Sequence, residues 1–327
     1  MDQFSKQEPR LFIGVDIGGT SIRTILATSE GEVFKRLERN TPVTDSPKGI
    51  LRAIEEEITT IRRDIHGCSG IGIACPGTID MHRQLITTVP NLPGLSYFPL
   101  TDKLSERFET KTRIGNDLTL AGLGEHRFGA GKGATNMIFV GVGTGIGGGI
   151  IINNQIYLGK TGSAGEIGHI IIEPNGPKCG CGNRGCLEAI ASGSGLEKIA
   201  KRRIEAGENS HLRKLISPNS KWKGTENIFS SKSIFEEAAK GDILSKSIIS
   251  NGARALGTGL ATLVNLFNPE IIVIGGGLVD QWTVYIQPAI KEMNRLAFPQ
   301  PTEDTKIVQS SLKGLAGALG AITLVAD

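Results

Sequence analysis

Residues 11–28 have the sequence LFIGVDIGGTSIRTILAT, in which a short glycine turn separates two apolar runs. Leu11 to Ile17 and Ser21 to Ala27 are rich in β-branched residues, which predicts two strands. Gly18-Gly19-Thr20 lies between them and predicts a tight turn. A third run with strand character, Glu32 to Glu38, follows another glycine turn. The chain is therefore predicted to begin with an antiparallel meander.

The start of this meander recurs in the second half of the chain. A shift of 127 positions superposes Phe12-Ile13-Gly14-Val15 on Phe139-Val140-Gly141-Val142, and Gly18 on Gly145. A duplicated strand-turn-strand unit predicts two similar halves, each with its own glycine turn.

Helical and strand patterns alternate outside the two copies, which predicts an α/β fold. The principal predicted elements are a helix from Pro47, strands at Ser69 to Ala74 and Thr112 to Gly115, a returning strand at Gly149 to Asn153, a long helix from Leu244 to Phe267, a strand at Ile271 to Ile274 and a final helix from Leu315 to Val325.

Composition limits the class of protein. The 327 residues include 36 Lys and Arg against 33 Asp and Glu, and a net charge of +3 is too small to indicate nucleic acid as the main partner. Met1 to Arg10 is polar, and the uncharged, glycine-rich run from Met137 to Ile152 is shorter than the about 20 apolar residues of a membrane span. We therefore expect a cytoplasmic protein with neither a membrane nor a nucleic acid as partner.

Two familiar nucleotide-binding patterns fail on their context. Gly143-x-Gly145-x-x-Gly148 matches the dinucleotide fingerprint, but the apolar residues that follow it continue as a strand where the motif requires a helix. Gly159-Lys160-Thr161 resembles the end of a Walker A loop, but Asn154 stands where the first glycine is required.

The two duplicated turns remain as candidate phosphate sites. Residues 16–20 and 141–149 each offer backbone N–H groups without Cβ atoms, together with the hydroxyl of Thr20 or Thr144. Only the first turn carries an acid, Asp16. Two such turns facing each other would grip a triphosphate and its metal ion. Either turn alone could equally be an ordinary tight hairpin.

A second candidate site is a cluster of sulfur and imidazole ligands. His169, Cys179, Cys181 and Cys186 supply one imidazole and three thiolates, which is a complete tetrahedral set for a structural zinc ion. Buried free thiols or a disulfide are the alternatives.

Several of these stretches, in this order and spacing, resemble the ROK family of sugar kinases and repressors. The stretches that carry the resemblance are Asp16-Ile17-Gly18-Gly19-Thr20, Asn116-Asp117, Gly141 to Gly149, Gly165-Glu166-Ile167-Gly168-His169 and Cys179 to Glu188. The family has an actin-like, ribonuclease-H-related duplicated α/β fold with two domains around a cleft. We therefore expect a first domain over residues 1–118, completed by a C-terminal helix at 313–327, and a second over 119–312 with a zinc-binding insertion at 166–188.

The resemblance implies ATP-dependent phosphorylation of glucose at its 6-hydroxyl, with Mg²⁺ accompanying ATP and one structural Zn²⁺ in each chain. It also implies a homodimer or homotetramer. Another hexose (N-acetylmannosamine, fructose, allose or mannose) is an alternative substrate, and a non-catalytic sugar-responsive regulator is an alternative function. Family repressors carry an N-terminal winged helix-turn-helix, and because only ten residues precede the first predicted strand, DNA binding by that device is not expected.

The resemblance also assigns roles to individual residues. Asp117 corresponds to the catalytic base, although an Asp at the start of a helix could simply cap it. Gly115 departs from the family pattern, in which an acid usually precedes the Asn-Asp pair. The sugar ligands implied are Gly77, Asn91, Asn116, Asp117, Glu166, His169 and Glu188. The residues implied to bind ATP and its phosphates are Asp16, Gly18, Gly19, Thr20, Gly143, Thr144, Gly145, Gly275, Gly276 and Gly277.

Overall fold

The computed structural model describes residues 9–42, 46–63, 65, 67–89, 91–215 and 229–326. The chain divides into two units. The first contains the described residues through Phe139, then Gly149–Gly165 and the chain from Ser310 onward. The second contains Val140–Gly148 and Glu166–Gln309. The boundary between the two units falls within two strands of the second sheet.

The secondary structure follows the alternating pattern predicted. Through residue 128 the elements are β1 (Leu11–Ile17), β2 (Ser21–Thr28), β3 (Val33–Asn40), α1 (Pro47–Ile61), β4 (Ile71–Cys75), β5 (Thr78–Asp80), β6 (Leu85–Thr88), α2 (Leu100–Phe108), β7 (Thr112–Asn116) and α3 (Asp117–Phe128). The later elements are β8 (Met137–Val142), β9 (Ile146–Ile152), β10 (Gln155–Ile156), α4 (Leu187–Ala191), α5 (Gly193–Glu205), α6 (Ser231–Ala239), α7 (Ile243–Phe267), β11 (Ile271–Gly275), α8 (Gln287–Leu296), α9 (Pro299–Asp304), β12 (Lys306–Gln309) and α10 (Ala316–Ala326).

The first sheet has the strand order β3-β2-β1-β4-β7. β1, β2 and β3 form the predicted antiparallel meander, whereas β4 pairs parallel with both β1 and β7. The alternation of side chains along β1 sends Ile13 and Val15 into a core with α1 and α2. Phe12 on the opposite face packs against residues of α10. The sheet is therefore covered by helices on both faces.

The second sheet repeats this order as β10-β9-β8-β11-β12. β10 pairs antiparallel with β9, and β12 pairs parallel with β11, as at the two edges of the first sheet. The duplicated α/β architecture predicted from the sequence is thereby confirmed. The strand β9 begins three residues before the predicted start at Gly149, because it runs from Ile146 and includes three consecutive glycines. A Cβ on Gly149 would lie 3.0 Å from the Thr119 carbonyl oxygen of α3, so the glycine allows helix and strand to approach closely.

The first unit extends further than the boundary expected after residue 118. Its helix α3 packs closely on α10, and two glycines make this possible. A Cβ on Gly320 would overlap the Leu120 carbonyl oxygen, and a Cβ on Gly124 would overlap that of Ala316. Because α10 also contacts β1 and β4, it joins α3 to the first sheet.

The second unit is built mainly from helices around its sheet. The 25-residue helix α7 packs most extensively on α8, and it ends at Asn268 in a left-handed conformation. None of the helices in the described ranges combines the length and apolar character needed to cross a membrane.

Candidate active site

The first unit brings two predicted acids close together. Asp16 lies near the end of β1, and Asp117 begins α3 directly after β7. Burial raises the pKa of Asp16 to about 7, the negative charge of Asp117 adds to the rise, and Arg23 partly offsets it. The Arg23 guanidinium lies 3.8 Å from Asp16 and donates a hydrogen bond of 2.9 Å to Glu38. Two neighbouring carboxylates are a donor set that suits a hard divalent cation such as Mg²⁺.

The junction between β7 and α3 is held by Asn116. Its side-chain oxygen accepts hydrogen bonds from the backbone N–H groups of Leu118 (3.1 Å) and Thr119 (3.0 Å), which makes Asn116 the helix N-cap. Its amide nitrogen donates to the Gly77 carbonyl at 2.9 Å. Asp117 is therefore the first helical residue rather than the cap, although its carboxylate also accepts from Leu118 N–H at 2.9 Å.

Two predicted sugar ligands of the first unit lie beside these elements: Gly77 contacts Asn116 at the β7–α3 junction, and Asn91 lies near the turn that contains Gly19. Gly77 has φ +93°, and a Cβ there would overlap the Thr88 carbonyl oxygen, so the turn requires glycine. A Cβ on Gly19 would lie 3.9 Å from that of Asn91. The turn itself is closed by a 2.8 Å hydrogen bond from Gly18 N–H to the Ser21 carbonyl, and Gly19 and Thr20 are exposed beyond it.

The second unit brings two further glycine loops together. The turn between β8 and β9 is closed by a 2.9 Å hydrogen bond from Gly143 N–H to the Gly145 carbonyl, with Thr144 exposed at its tip. Gly276 has φ +88°, and a Cβ there would overlap the carbonyl of Val142. A Cβ on Gly143 would lie 3.5 Å from the Gly277 nitrogen. Residues 275–277 therefore lie directly beside the turn.

The four predicted metal ligands meet in one cluster. One ligand atom from each of His169, Cys179, Cys181 and Cys186 lies within 4.8 Å of all the others. All five cysteines of the chain are free thiols, and the 3.7 Å between the Sγ atoms of Cys181 and Cys186 is far longer than a disulfide bond of about 2.05 Å. The cluster therefore fits a tetrahedral zinc ion and does not contain a disulfide.

The orientation of the histidine agrees with this fit, whereas the thiols differ in how readily they ionise. A backbone hydrogen bond from Asn183 lowers the pKa of Cys181, whereas burial raises that of Cys186 to about 12. Binding of a metal would displace the remaining thiol protons. His169 Nδ1 lies 3.7 Å from the Cys179 sulfur, and its Nε2 lies 3.9 Å from Glu166, so the two ring nitrogens face different partners.

Sequence reasoning missed one participant in these sites, Arg23, and one contact of a predicted participant, Glu188. Arg23 stands opposite Asp16 in the β1–β2 register, and the alternation of side chains along β2 would have identified it. The contact of Glu188 with the β8–β9 turn, where its Oε2 accepts from Ile146 N–H at 3.0 Å, had no signal in the sequence because 42 residues separate the partners.

Similarity to known proteins extends over nearly the whole chain. The model of the ROK family matches residues 12–327. The glucokinase of Thermotoga maritima is 33% identical over 320 residues, which are 98% of each chain. A xylose repressor of Caldicellulosiruptor bescii is 32% identical over 317 residues, which are 96% of this chain and 77% of the repressor.

A solved structure agrees in both sequence and fold. The ROK family glucokinase from Streptomyces griseus, in complex with glucose and AMPPNP, is 35% identical to this chain. The two align with a TM-score of 0.79 over 96% of this chain and 99% of that one. The predicted actin-like α/β fold is thereby confirmed, and with the family model matching almost every residue, the chain belongs to the ROK family.

Proposed function

We propose that this chain is an ATP-dependent hexokinase that transfers the γ-phosphoryl group to the 6-hydroxyl of glucose. The observation that carries this proposal is the junction in the first unit, where Asp117 stands at the end of β7 and close enough to Asp16 to raise its pKa. Similarity to glucokinases over 98% of the chain supports the same activity. The pair of acids and the two glycine turns argue against a non-catalytic regulator.

Asp117 acts as the catalytic base. Its carboxylate orients the sugar 6-hydroxyl and accepts the proton as the oxygen attacks the γ-phosphorus in line with the leaving group. Asp16 holds the Mg²⁺ that accompanies ATP. When bound, that ion offsets charge on the phosphates. The Asp16 carboxyl is protonated more readily than an exposed one, and it would take its charged form on holding the ion.

Backbone groups bind the phosphates of ATP. In the first turn these are the N–H groups of Gly19 and Thr20, because Gly18 N–H closes the turn on the Ser21 carbonyl. In the second turn they are those of Thr144 and Gly145, because Gly143 N–H closes that turn on the Gly145 carbonyl. The fold already orients these N–H groups, so they need not reorganise when negative charge develops in the transition state. The loop of Gly275, Gly276 and Gly277 lies beside the second turn and is assigned to adenosine.

Several side chains are proposed sugar ligands. An amide has two N–H bonds, so Asn116 can donate one to the Gly77 carbonyl and offer the other to a sugar hydroxyl. Gly77 and Asn91 are the other proposed sugar ligands of the first unit. In the second unit, the carboxylates of Glu166 and Glu188 accept hydrogen bonds from hydroxyl groups. His169 uses Nδ1 for zinc and Nε2 for the sugar.

The decisive experiment is a coupled assay of ATP consumption across glucose, mannose, fructose, allose and N-acetylmannosamine. We expect kcat/KM to be highest for glucose, with phosphate on its 6-hydroxyl. A higher value for another hexose would identify that sugar as the substrate. If no sugar supports ATP consumption, the chain is not a sugar kinase.

The cluster of His169 and the three thiols holds a structural zinc ion in this proposal. Metal analysis of the purified protein is expected to find about one zinc per chain, because four protein ligands close the site. Cys186→Ser should lower the zinc content and the melting temperature, whereas Cys68→Ser, which changes a thiol outside the cluster, should leave the zinc content unchanged. Folded, active wild-type protein without zinc would contradict the assignment.

The assembly and location follow from the family by analogy. We propose a homodimer or homotetramer. We also propose a cytoplasmic location, since ATP and reduced thiols are both characteristic of that compartment.

A further inference from the structure

The carboxylate of Glu188 lies against the β8–β9 turn. Its Oε2 accepts a hydrogen bond of 3.0 Å from the backbone N–H of Ile146. A Cβ on Gly145 would lie 2.5 Å from the same oxygen, so glycine at that position makes room for the carboxylate. Glu188 is thus hydrogen-bonded to Ile146, the residue that directly follows the turn Gly143–Gly145.

The other end of the turn is held by the residues that follow α4. Gly193 N–H donates to the Gly143 carbonyl at 2.8 Å, and Ser194 N–H donates to the Thr144 carbonyl at 3.2 Å. Since α4 and the start of α5 carry both sets of contacts, the single segment 188–194 anchors the turn on both sides.

The zinc-binding region approaches the same point. Gly168, which precedes the ligand His169, lies so close to the Ile146 carbonyl that a Cβ on it would overlap that oxygen. It would also lie 3.3 Å from the Glu188 Cβ. Ile146 is therefore in contact with the chain on both sides of the metal cluster.

We propose that Glu188 is a positioning residue for the phosphate-binding turn, in addition to its role as a sugar ligand. This inference rests on the proposed function, which assigns phosphate binding to Gly143–Gly145. One carboxylate oxygen fixes the Ile146 N–H, and so keeps the N–H groups of the turn directed at the phosphates. The second oxygen accepts from a sugar hydroxyl. A single side chain then contacts both the sugar and the phosphate-binding turn.

A simpler role would be that of an acid in the first turn of α4, where it interacts favourably with the helix dipole. Such a role depends on charge and would not be fulfilled by a neutral amide. The positioning role depends on an acceptor oxygen at the correct distance, which glutamine also has. The two roles therefore differ in how they respond to Glu188→Gln.

The test measures ADP binding by calorimetry without sugar, together with hydrogen exchange at the Ile146 amide. In Glu188→Ala we expect ADP affinity to fall about tenfold, since a hydrogen bond to a charged group is lost, and the Ile146 amide to exchange faster. Glu188→Gln should restore both properties to near wild-type values while the KM for glucose remains raised. Glu166→Ala, which removes a proposed sugar ligand whose side chain lies 3.9 Å from His169 Nε2, should raise the glucose KM and leave ADP affinity unchanged.

Two results would overturn the inference: wild-type ADP affinity and Ile146 protection in Glu188→Ala, or an equal loss of ADP affinity in Glu166→Ala. If the alanine variant does not fold, Glu188→Asp retains the charge but shortens the reach, and it should show the same loss of Ile146 protection. If the wild-type chain binds no ADP, the proposed function is wrong. Hydrogen exchange at the Ile146 amide of Glu188→Ala would then show by itself whether Glu188 positions the turn.

Discussion

Asp117→Asn is expected to lower kcat by about 10²- to 10⁴-fold, the usual contribution of a general base. Asparagine has nearly the same shape as aspartate and can still accept a hydrogen bond from the Leu118 N–H, as Asp117 does at 2.9 Å. It cannot accept the proton of the sugar hydroxyl. The variant should therefore bind glucose measurably and turn it over very slowly.

The same substitution should leave the protein folded. The charge of Asp117 raises the pKa of Asp16, which means that the two carboxylates repel each other in the folded state. Removal of one charge relieves this repulsion, while the Asn116 cap of α3 is retained. We expect an unchanged or slightly higher melting temperature, as is common when a functional group held at a cost in stability is neutralised.

Steady-state kinetics and glucose calorimetry check this prediction. The matched control is Asp102→Asn, which neutralises an exposed aspartate in the first turn of another helix, α2. Its kcat should equal that of the wild type. A kcat of Asp117→Asn near the wild-type value would refute the assignment of the base.

The second large effect is expected in the core of the first unit. Gly72 lies in β4, and a Cβ at this position would overlap the backbone carbonyl of Ala321 in α10. Because the obstacle is backbone, no side-chain rotation relieves the clash. We expect Gly72→Ala to lower the free energy of unfolding by about 1–3 kcal/mol or more, as overpacking does in other cores. Urea denaturation followed by circular dichroism measures this change.

Gly314→Ala is the matched control in the same unit. Its added Cβ would lie 3.6 Å from the nearest atom, in the Arg23 side chain, which is an ordinary van der Waals distance. The free energy of unfolding should change by no more than about 0.5 kcal/mol. Equal stabilities for the two variants would mean that α10 does not lie against β4 as described.

The sheet meander was predictable because its strands and turns are short and local in sequence. β1 spans Leu11–Ile17 as expected, and β2 extends one residue beyond the prediction. The duplication was also visible, since the apolar and glycine pattern recurs at a constant offset. Glycines within strands were harder to interpret. Gly147 and Gly148 looked like turn residues, but they belong to β9, and the close packing of α3 on that strand is invisible in a local pattern.

Short elements that depend on tertiary contacts were not predicted. The hairpin β5–β6 has few apolar residues, and it is joined to β7 through Gln84, whose side-chain oxygen accepts from Ile114 N–H at 2.9 Å. The extent of the first unit was equally inaccessible, because it depends on the packing of α3 against α10.

Within the candidate sites, the sequence motifs predicted which residues take part more successfully than which residues they contact. The zinc ligands were predictable, since their spacing and chemistry are specific. The cap of α3 was assigned to Asp117 as an alternative, but Asn116 takes that place. The two adjacent residues have similar capping preferences, so only the backbone geometry separates them.

The position of α10 has a consequence for biosynthesis. This helix covers a face of the sheet formed by β1 and β4, which the ribosome produces roughly 240 to 300 residues earlier. At about 5–20 residues per second, the interval between them is roughly 12 to 60 s. During this interval, the glycine-lined face of the first sheet that α10 later covers remains exposed in the nascent chain. We therefore expect its native fold to form only after translation of α10, and nascent chains arrested before that point to depend on chaperones.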